Sequence, residues 1–446
     1  MSVHIRNTLL ACTFSLTIAT PLFTNGIISG QKIDPDAYKN VSQLITSKGY
    51  PFEEHLVETA DGYILGLHRI PPIHKQGNNQ SRPVILLQHG LLSCSACWVE
   101  NLANQSLGFI LADRGMDVWM GNSRGNTYSK RHKTLKPTDE KFWDFTWDEM
   151  AKYDLPSTVD YIAKTTNVSQ IYYAGHSQGT EIIFAELGRN QTLAAKIKHF
   201  FALAPVATMG NATGPFKAVA PYAQDIDTLF QLLGKGEFLP SSDFISSNAR
   251  KFCGNDYGSI VCENLIFLLA GYDSKEINRT RIPVYVEEHP AGTSVKNFLH
   301  YAQVNFLHYA QVNFLLDAQV NFLLDAQVNF LHYAHLNFLL DAQAVLSGKF
   351  QMFDYSSPAA NMGHYNQTTP PLYDASLMKN SVSLYSGGND IIADPTDVKL
   401  LLQQLPNIYR HINITTYEHL DFIWATEAKR QCYDDIILTI VSRENL

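Results

Sequence analysis

The sequence predicts an α/β fold: a mostly parallel central sheet between helices, interrupted by an inserted, mainly helical cap. Three observations predict it. Apolar runs near Val84, Val118, Ile171 and Phe200 alternate with helical stretches, as strands joined by helical crossovers do. That alternation stops after Ala207, and a strand-like run returns only at Val382. Gly175-His176-Ser177-Gln178-Gly179 sits between an apolar run and a helical stretch, so a sharp strand–turn–helix carries a serine at its tip.

Taken in order, the chain opens with a positively charged start and an apolar, small-residue stretch over residues 8–23, broken by Pro21. This reads as an export signal, assigned to residues 1–25 and cleaved between Ala19 and Gly26. No later segment is convincing as a membrane span. Residues 26–207 form the first part of the core. Within them Glu58-Thr59-Ala60-Asp61-Gly62-Tyr63 is a hairpin turn between the first two strands. Residues 83–88 are a continuous apolar run ending in Gln88, suited to a strand buried on both faces. Residues 208–371 are read as the cap, including an apolar run at 265–270, and residues 372–446 as the second part of the core.

The chemistry follows from the turn. A serine on a strand-to-helix elbow, in a mostly parallel sheet, is the device of an α/β-hydrolase fold. Ser177 is the candidate nucleophile. The Leu91 N–H, in the loop His89-Gly90-Leu91-Leu92, and the Gln178 N–H, just after the serine, are the candidate oxyanion donors. For the acid, Asp390 follows the run at 382–385 and a Gly-Gly-Asn turn. Asp394 precedes a proline and reads as a helix N-cap, and Asp397 reads as a first-turn carboxylate. Both rivals have structural roles, and Asp390 does not. For the base, His419 lies on a loop past an alternating run at 411–416. His411 lies in or before that run, and His176, adjacent to the serine, points away from it. Among sixteen histidines, His419 stands out because Ser177, Asp390 and His419 occur in the chain order of this fold.

The motifs Gln88-His89-Gly90-Leu91-Leu92, Gly121-Asn122-Ser123-Arg124-Gly125-Asn126, Gly175-His176-Ser177-Gln178-Gly179-Thr180 and His419-Leu420-Asp421-Phe422-Ile423-Trp424 carry a resemblance. With them the chain resembles the acid lipase family from about Tyr38 to Ala425, apart from one insertion. The resemblance implies a Ser177–Asp390–His419 triad, a lid-bearing cap over the serine, and cleavage of acyl esters of glycerol or cholesterol at an oil–water or membrane interface. It also implies a disulfide between Cys253 and Cys262, and a site in the lysosome or outside the cell.

Composition bounds the alternatives. A net charge of −8 leaves no basic footprint for nucleic acid. Nine Asn-X-Ser/Thr sequons agree with export. Cys94-Ser95-Ala96-Cys97 lacks the second ligand pair that a zinc site needs, and its surroundings already belong to the elbow fold, so no metal and no cofactor are assigned. The states of Cys94, Cys97 and Cys432 stay open. Two further function classes also stay open: an enzyme of this fold acting on soluble esters, thioesters or peptides, and a non-catalytic lipid carrier. Carriers usually lose a triad member, and none is missing here.

Six octads run over residues 297–344, mostly of the form Asn-Phe-Leu-His-Tyr-Ala-Gln-Val or Asn-Phe-Leu-Leu-Asp-Ala-Gln-Val. The resembled family has one such unit. As a strand, an even repeat keeps one face in register, with Phe298, His300, Ala302 and Val304 together. As a helix, each unit would turn its stripe by about 80°. Many of the residues are good helix formers, so both conformations remain open, and the array reads as a recent tandem duplication or a gene-model error rather than a functional array.

Overall fold

A computed structural model describes residues 33–72, 82–213, 235–240, 276–304 and 348–445. The export signal, the run at 265–270, Cys253, Cys262 and residues 305–344 of the repeat lie outside the described residues.

Among the described residues a nine-stranded sheet forms the centre, in the order β1-β2-β4-β3-β6-β7-β10-β11, with β5 paired to β2. β1 (Glu53–Glu58) and β2 (Tyr63–Ile70) form the expected hairpin, and β2 runs antiparallel to β4 (Asp117–Met120) and to β5 (Arg131–His132). From β4 onward the pairing is parallel, through β3 (Val84–Gln88), β6 (Ile171–His176), β7 (Ile197–Leu203), β10 (Val382–Gly387) and β11 (Ile408–Ile414). β3, β4, β6 and β10 are buried at every position, which accounts for the continuous apolar run of β3 up to Gln88, although β4 also buries Asp117 and β10 buries Ser383 and Ser386. β11 is an edge strand, exposed or half-buried along most of its length.

Local chemistry sets the helix ends. Asn40 and Gln43 make a reciprocal capping box, as do Thr146 and Glu149. Asp394 caps the helix Pro395–Gln404 by accepting from the Thr396 amide, with proline at the first position.

In the stretch assigned to the cap, β8 (Glu237–Phe238) pairs antiparallel with β9 (Thr293–Ser294). The helix Val295–Val304 follows and holds the first octad. Helix prevails over strand because Ser294 Oγ accepts the Asn297 amide at 2.9 Å, an N-cap just ahead of the repeat. The octad is part of the core. His300 stacks on Trp147 with ring centroids 4.5 Å apart, and Phe298 stacks on Phe238 at 4.2 Å. Gln303 exchanges two hydrogen bonds with the backbone of Asp354, and Tyr301 donates to the buried Glu181 carboxyl. Among the described residues, no helix is long and apolar enough to cross a membrane.

Candidate active site

The parallel strands present their C-terminal ends along one edge of the sheet, where open α/β folds gather function. Ser177 follows β6 and starts the helix Gln178–Leu187. Its backbone has φ 53° and ψ −119°, a conformation a non-glycine residue adopts only under strain. The flanking glycines allow that turn. A Cβ on Gly175 would lie 2.5 Å from the Gly179 carbonyl oxygen, and one on Gly179 would lie 2.4 Å from the Gln88 carbonyl oxygen. The Ser177 amide is tied to the Leu203 carbonyl of β7 at 3.1 Å.

Asp390 follows β10 and His419 follows β11. The structure brings both to the serine. His419 Nε2 is 2.7 Å from Ser177 Oγ, and His419 Nδ1 is 2.9 and 3.0 Å from the two Asp390 oxygens. All three residues are buried. Asp390 Oδ1 also accepts the amides of Ile392 and Ala393 at 2.9 and 2.8 Å, which fixes the carboxylate. His176 is engaged elsewhere than at the hydroxyl: its Nε2 donates to the His419 carbonyl oxygen at 2.8 Å. Burial, then the nearby His419, pushes His176 down to about 3, so it stays neutral while it steadies the base loop.

The rivals lie elsewhere. His411 stays in β11 with Nε2 2.8 Å from Ser386 Oγ. Asp397 accepts from Thr208 Oγ1 and from the amide and side chain of Asn211, so it ties the helix Pro395–Gln404 to the segment after β7. The Gly90 loop packs on the elbow, since a Cβ on Gly90 would lie 3.0 Å from Ser177 Cβ. Gln178 is the first residue of its helix, where an N–H lacks an intrahelical acceptor.

The structure adds residues to which the sequence reading gave no role. Arg124 is buried, with its guanidinium 2.7 Å from Asp154, 2.6 Å from Asp61 and 4.1 Å above the Tyr63 ring. It pins the loop after β4 behind the site. The signal was present in part, because Arg124 falls in the family-like stretch Gly121–Asn126, but its pairing with Asp154 depends on tertiary approach. Cys94, Cys97 and Cys432 are free and buried, and burial pushes each thiol well above its ordinary range. Among the described residues no cluster could hold a metal ion.

A parallel sheet with a strained serine elbow at its edge, bonded through a histidine to a carboxylate, defines an α/β-hydrolase. A family model described as alpha/beta hydrolase fold matches residues 83–426, and one described as partial alpha/beta-hydrolase lipase region matches residues 41–102. The chain is 44% identical to gastric triacylglycerol lipase of Rattus norvegicus over 409 residues, 91% of this chain and 92% of the relative. It is 43% identical to lysosomal acid lipase/cholesteryl ester hydrolase of Homo sapiens over 406 residues, 91% of each. It is 40% identical to lipase member K of Homo sapiens over 412 residues, 92% of each. The chain belongs to the acid lipase family and is a carboxylic ester hydrolase.

Proposed function

We propose that this chain is an exported lipase that cleaves acyl esters of neutral lipids, triacylglycerols or cholesteryl esters, through an acyl-enzyme intermediate. The carrying observation is the bonded chain from Ser177 Oγ through His419 to Asp390. His419 Nε2 takes the serine proton as Oγ attacks the ester carbonyl, and Asp390 holds the imidazole in the tautomer that leaves Nε2 free to accept. The Leu91 and Gln178 amides receive the negative charge that develops on the carbonyl oxygen. Collapse expels the alcohol, protonated by His419, and a water activated by the same ring hydrolyses the acyl-serine. Lipid as substrate is supported by relatives named as a triacylglycerol lipase and a cholesteryl ester hydrolase. Residues 208–371 would shelter the serine in water and open on lipid, and residues 1–25 would direct the chain to the lysosome or outside the cell.

The test is a substrate panel for the purified protein: emulsified triolein, cholesteryl oleate, a soluble short-chain ester and a peptide amide, from acidic to mildly alkaline pH. Turnover of an emulsified lipid above the soluble ester is expected. Exclusive turnover of the soluble ester or of the amide would move the chain to the other hydrolases of this fold, and no turnover would favour a carrier.

The repeat makes a separate prediction. Deleting residues 304–343 joins Gln303 to Ala344 and restores one octad. It keeps His300, Tyr301 and Gln303, whose contacts fill the core. It removes a weakly charged apolar tract. The shortened protein is expected to fold and be secreted at least as well, with its ester hydrolysis kept. Loss on emulsion with the soluble-ester rate intact would instead make the octads a lipid-docking surface.

A further inference from the structure

The reaction proposed above leaves one histidine at the site without a role. His89 is buried beside the elbow but outside the Ser177–His419–Asp390 chain. Both its ring nitrogens are engaged. Nε2 lies 3.0 Å from the Ser123 backbone nitrogen and 3.1 Å from Asn126 Nδ2. A backbone N–H can only donate, so Nε2 is the acceptor and the ring proton sits on Nδ1. Nδ1 lies 2.7 Å from the carbonyl oxygen of Gly90 and therefore donates to it. The same oxygen accepts the Ser93 amide at 3.3 Å. A trans peptide is planar, with its C=O and the following N–H pointing in opposite directions. Whatever fixes the Gly90 carbonyl therefore fixes the Leu91 N–H. Gly90 itself backs onto the elbow, where an added Cβ would lie 3.0 Å from Ser177 Cβ and 3.1 Å from His176 Nδ1.

We propose that His89 is a positioning residue: held by Ser123 and Asn126 with its proton on Nδ1, it turns the Gly90–Leu91 peptide so that the Leu91 N–H meets the oxygen that gains charge when Ser177 attacks. This inference rests on the reading of Leu91 as an oxyanion donor. It also sets an acid limit. A second ring proton, on Nε2, would face the two donors Ser123 N–H and Asn126 Nδ2–H. The titratable groups around His89 are His289 and His176. Burial, with His289 adding to it, holds His89 down at about 4 against the opposing pull of the Gly90 carbonyl. The ring thus stays neutral, and the loop stays aimed, until the medium falls through that range.

Two substitutions separate positioning from bulk. In His89→Asn the side-chain amide reaches the place of ring Nδ1 and can still donate to Gly90. In His89→Gln the amide reaches the place of Nε2 and leaves the Gly90 carbonyl unheld. On a soluble short-chain p-nitrophenyl ester, His89→Gln is expected to lose about 10²-fold in kcat with KM unchanged, as for a displaced oxyanion donor. His89→Asn should stay within about tenfold of the parent, and an inflection near pH 4 in the parent's kcat should be absent from it. Equal kcat in the two variants, whether high or low, would overturn the inference. Leu91→Pro removes the donor itself, and its folding is checked by its thermal transition. If folded Leu91→Pro turns over like the parent, the oxyanion reading fails. If it is inactive while the two His89 variants match, only the role of His89 fails.

Discussion

Ser177→Ala is expected to lose about 10⁶ in turnover, close to 8 kcal/mol of barrier, while folding like the parent. The expectation rests on what surrounds the hydroxyl. Oγ is the atom 2.7 Å from His419 Nε2, and the elbow's φ and ψ come from the backbone and its glycines rather than from the serine side chain. Alanine therefore removes the nucleophile and leaves the turn intact. A fluorophosphonate probe should label the parent at Ser177 and leave the variant unlabelled. Undiminished labelling of the variant would send the nucleophile elsewhere.

Asp390→Asn should cost on the order of 10⁴ in kcat, the scale of a wrong histidine tautomer. The direction follows from the bonds already at the carboxylate. Oδ1 accepts two backbone amides, from Ile392 and Ala393, so an asparagine must keep its oxygen there. Its NH₂ then takes the place of Oδ2, 2.9 Å from His419 Nδ1. That donor opposes a proton on Nδ1 and leaves only the Oδ1 contact at 3.0 Å to hold it, so the imidazole shifts toward the tautomer protonated on Nε2, which cannot accept from Ser177. Asp394→Asn is the control. Among the described residues Asp394 accepts a local amide at a helix N-cap, a task asparagine performs equally well, so activity should stay near the parent's. A larger loss at Asp394 than at Asp390 would reverse the assignment.

The elements that meet at Ser177 were legible because each follows the end of a parallel strand, and strand ends are marked by glycine turns and by exhausted apolar runs. Asp390 was reached by giving its neighbours structural work, and the Asp394 cap is the bond expected of it. The work of Asp397 was read only in part. Its ties to Thr208 and Asn211 cross between chain segments far apart in sequence, and nothing local announces them. His89 was hidden in the same way, since its partners Ser123 and Asn126 arrive from the loop after β4. β11 begins at Ile408, ahead of the alternating run at 411–416, because an edge strand exposes most positions and its pattern fades. The octad was undecidable alone: a period of eight suits a strand, and the tie is broken by Ser294, a residue outside the repeat.

The adjacency of β7 and β10 carries a consequence for chain entropy. β7 ends at Leu203 and pairs in parallel with β10, which begins at Val382, so one ladder closes a loop of about 180 residues. The entropy of closing a flexible loop grows only with the logarithm of its length. Lengthening it by forty residues, as the five extra octads do, therefore taxes the ladder by roughly 0.2 kcal/mol. That is far below the marginal stability of a folded domain, about 5–15 kcal/mol. The place where the repeat sits is thus one where added length is nearly invisible to the sheet. The same forty residues added to the 29-residue span from Asp390 to His419 would cost more, roughly 0.8 kcal/mol, because the logarithm climbs faster on a short loop.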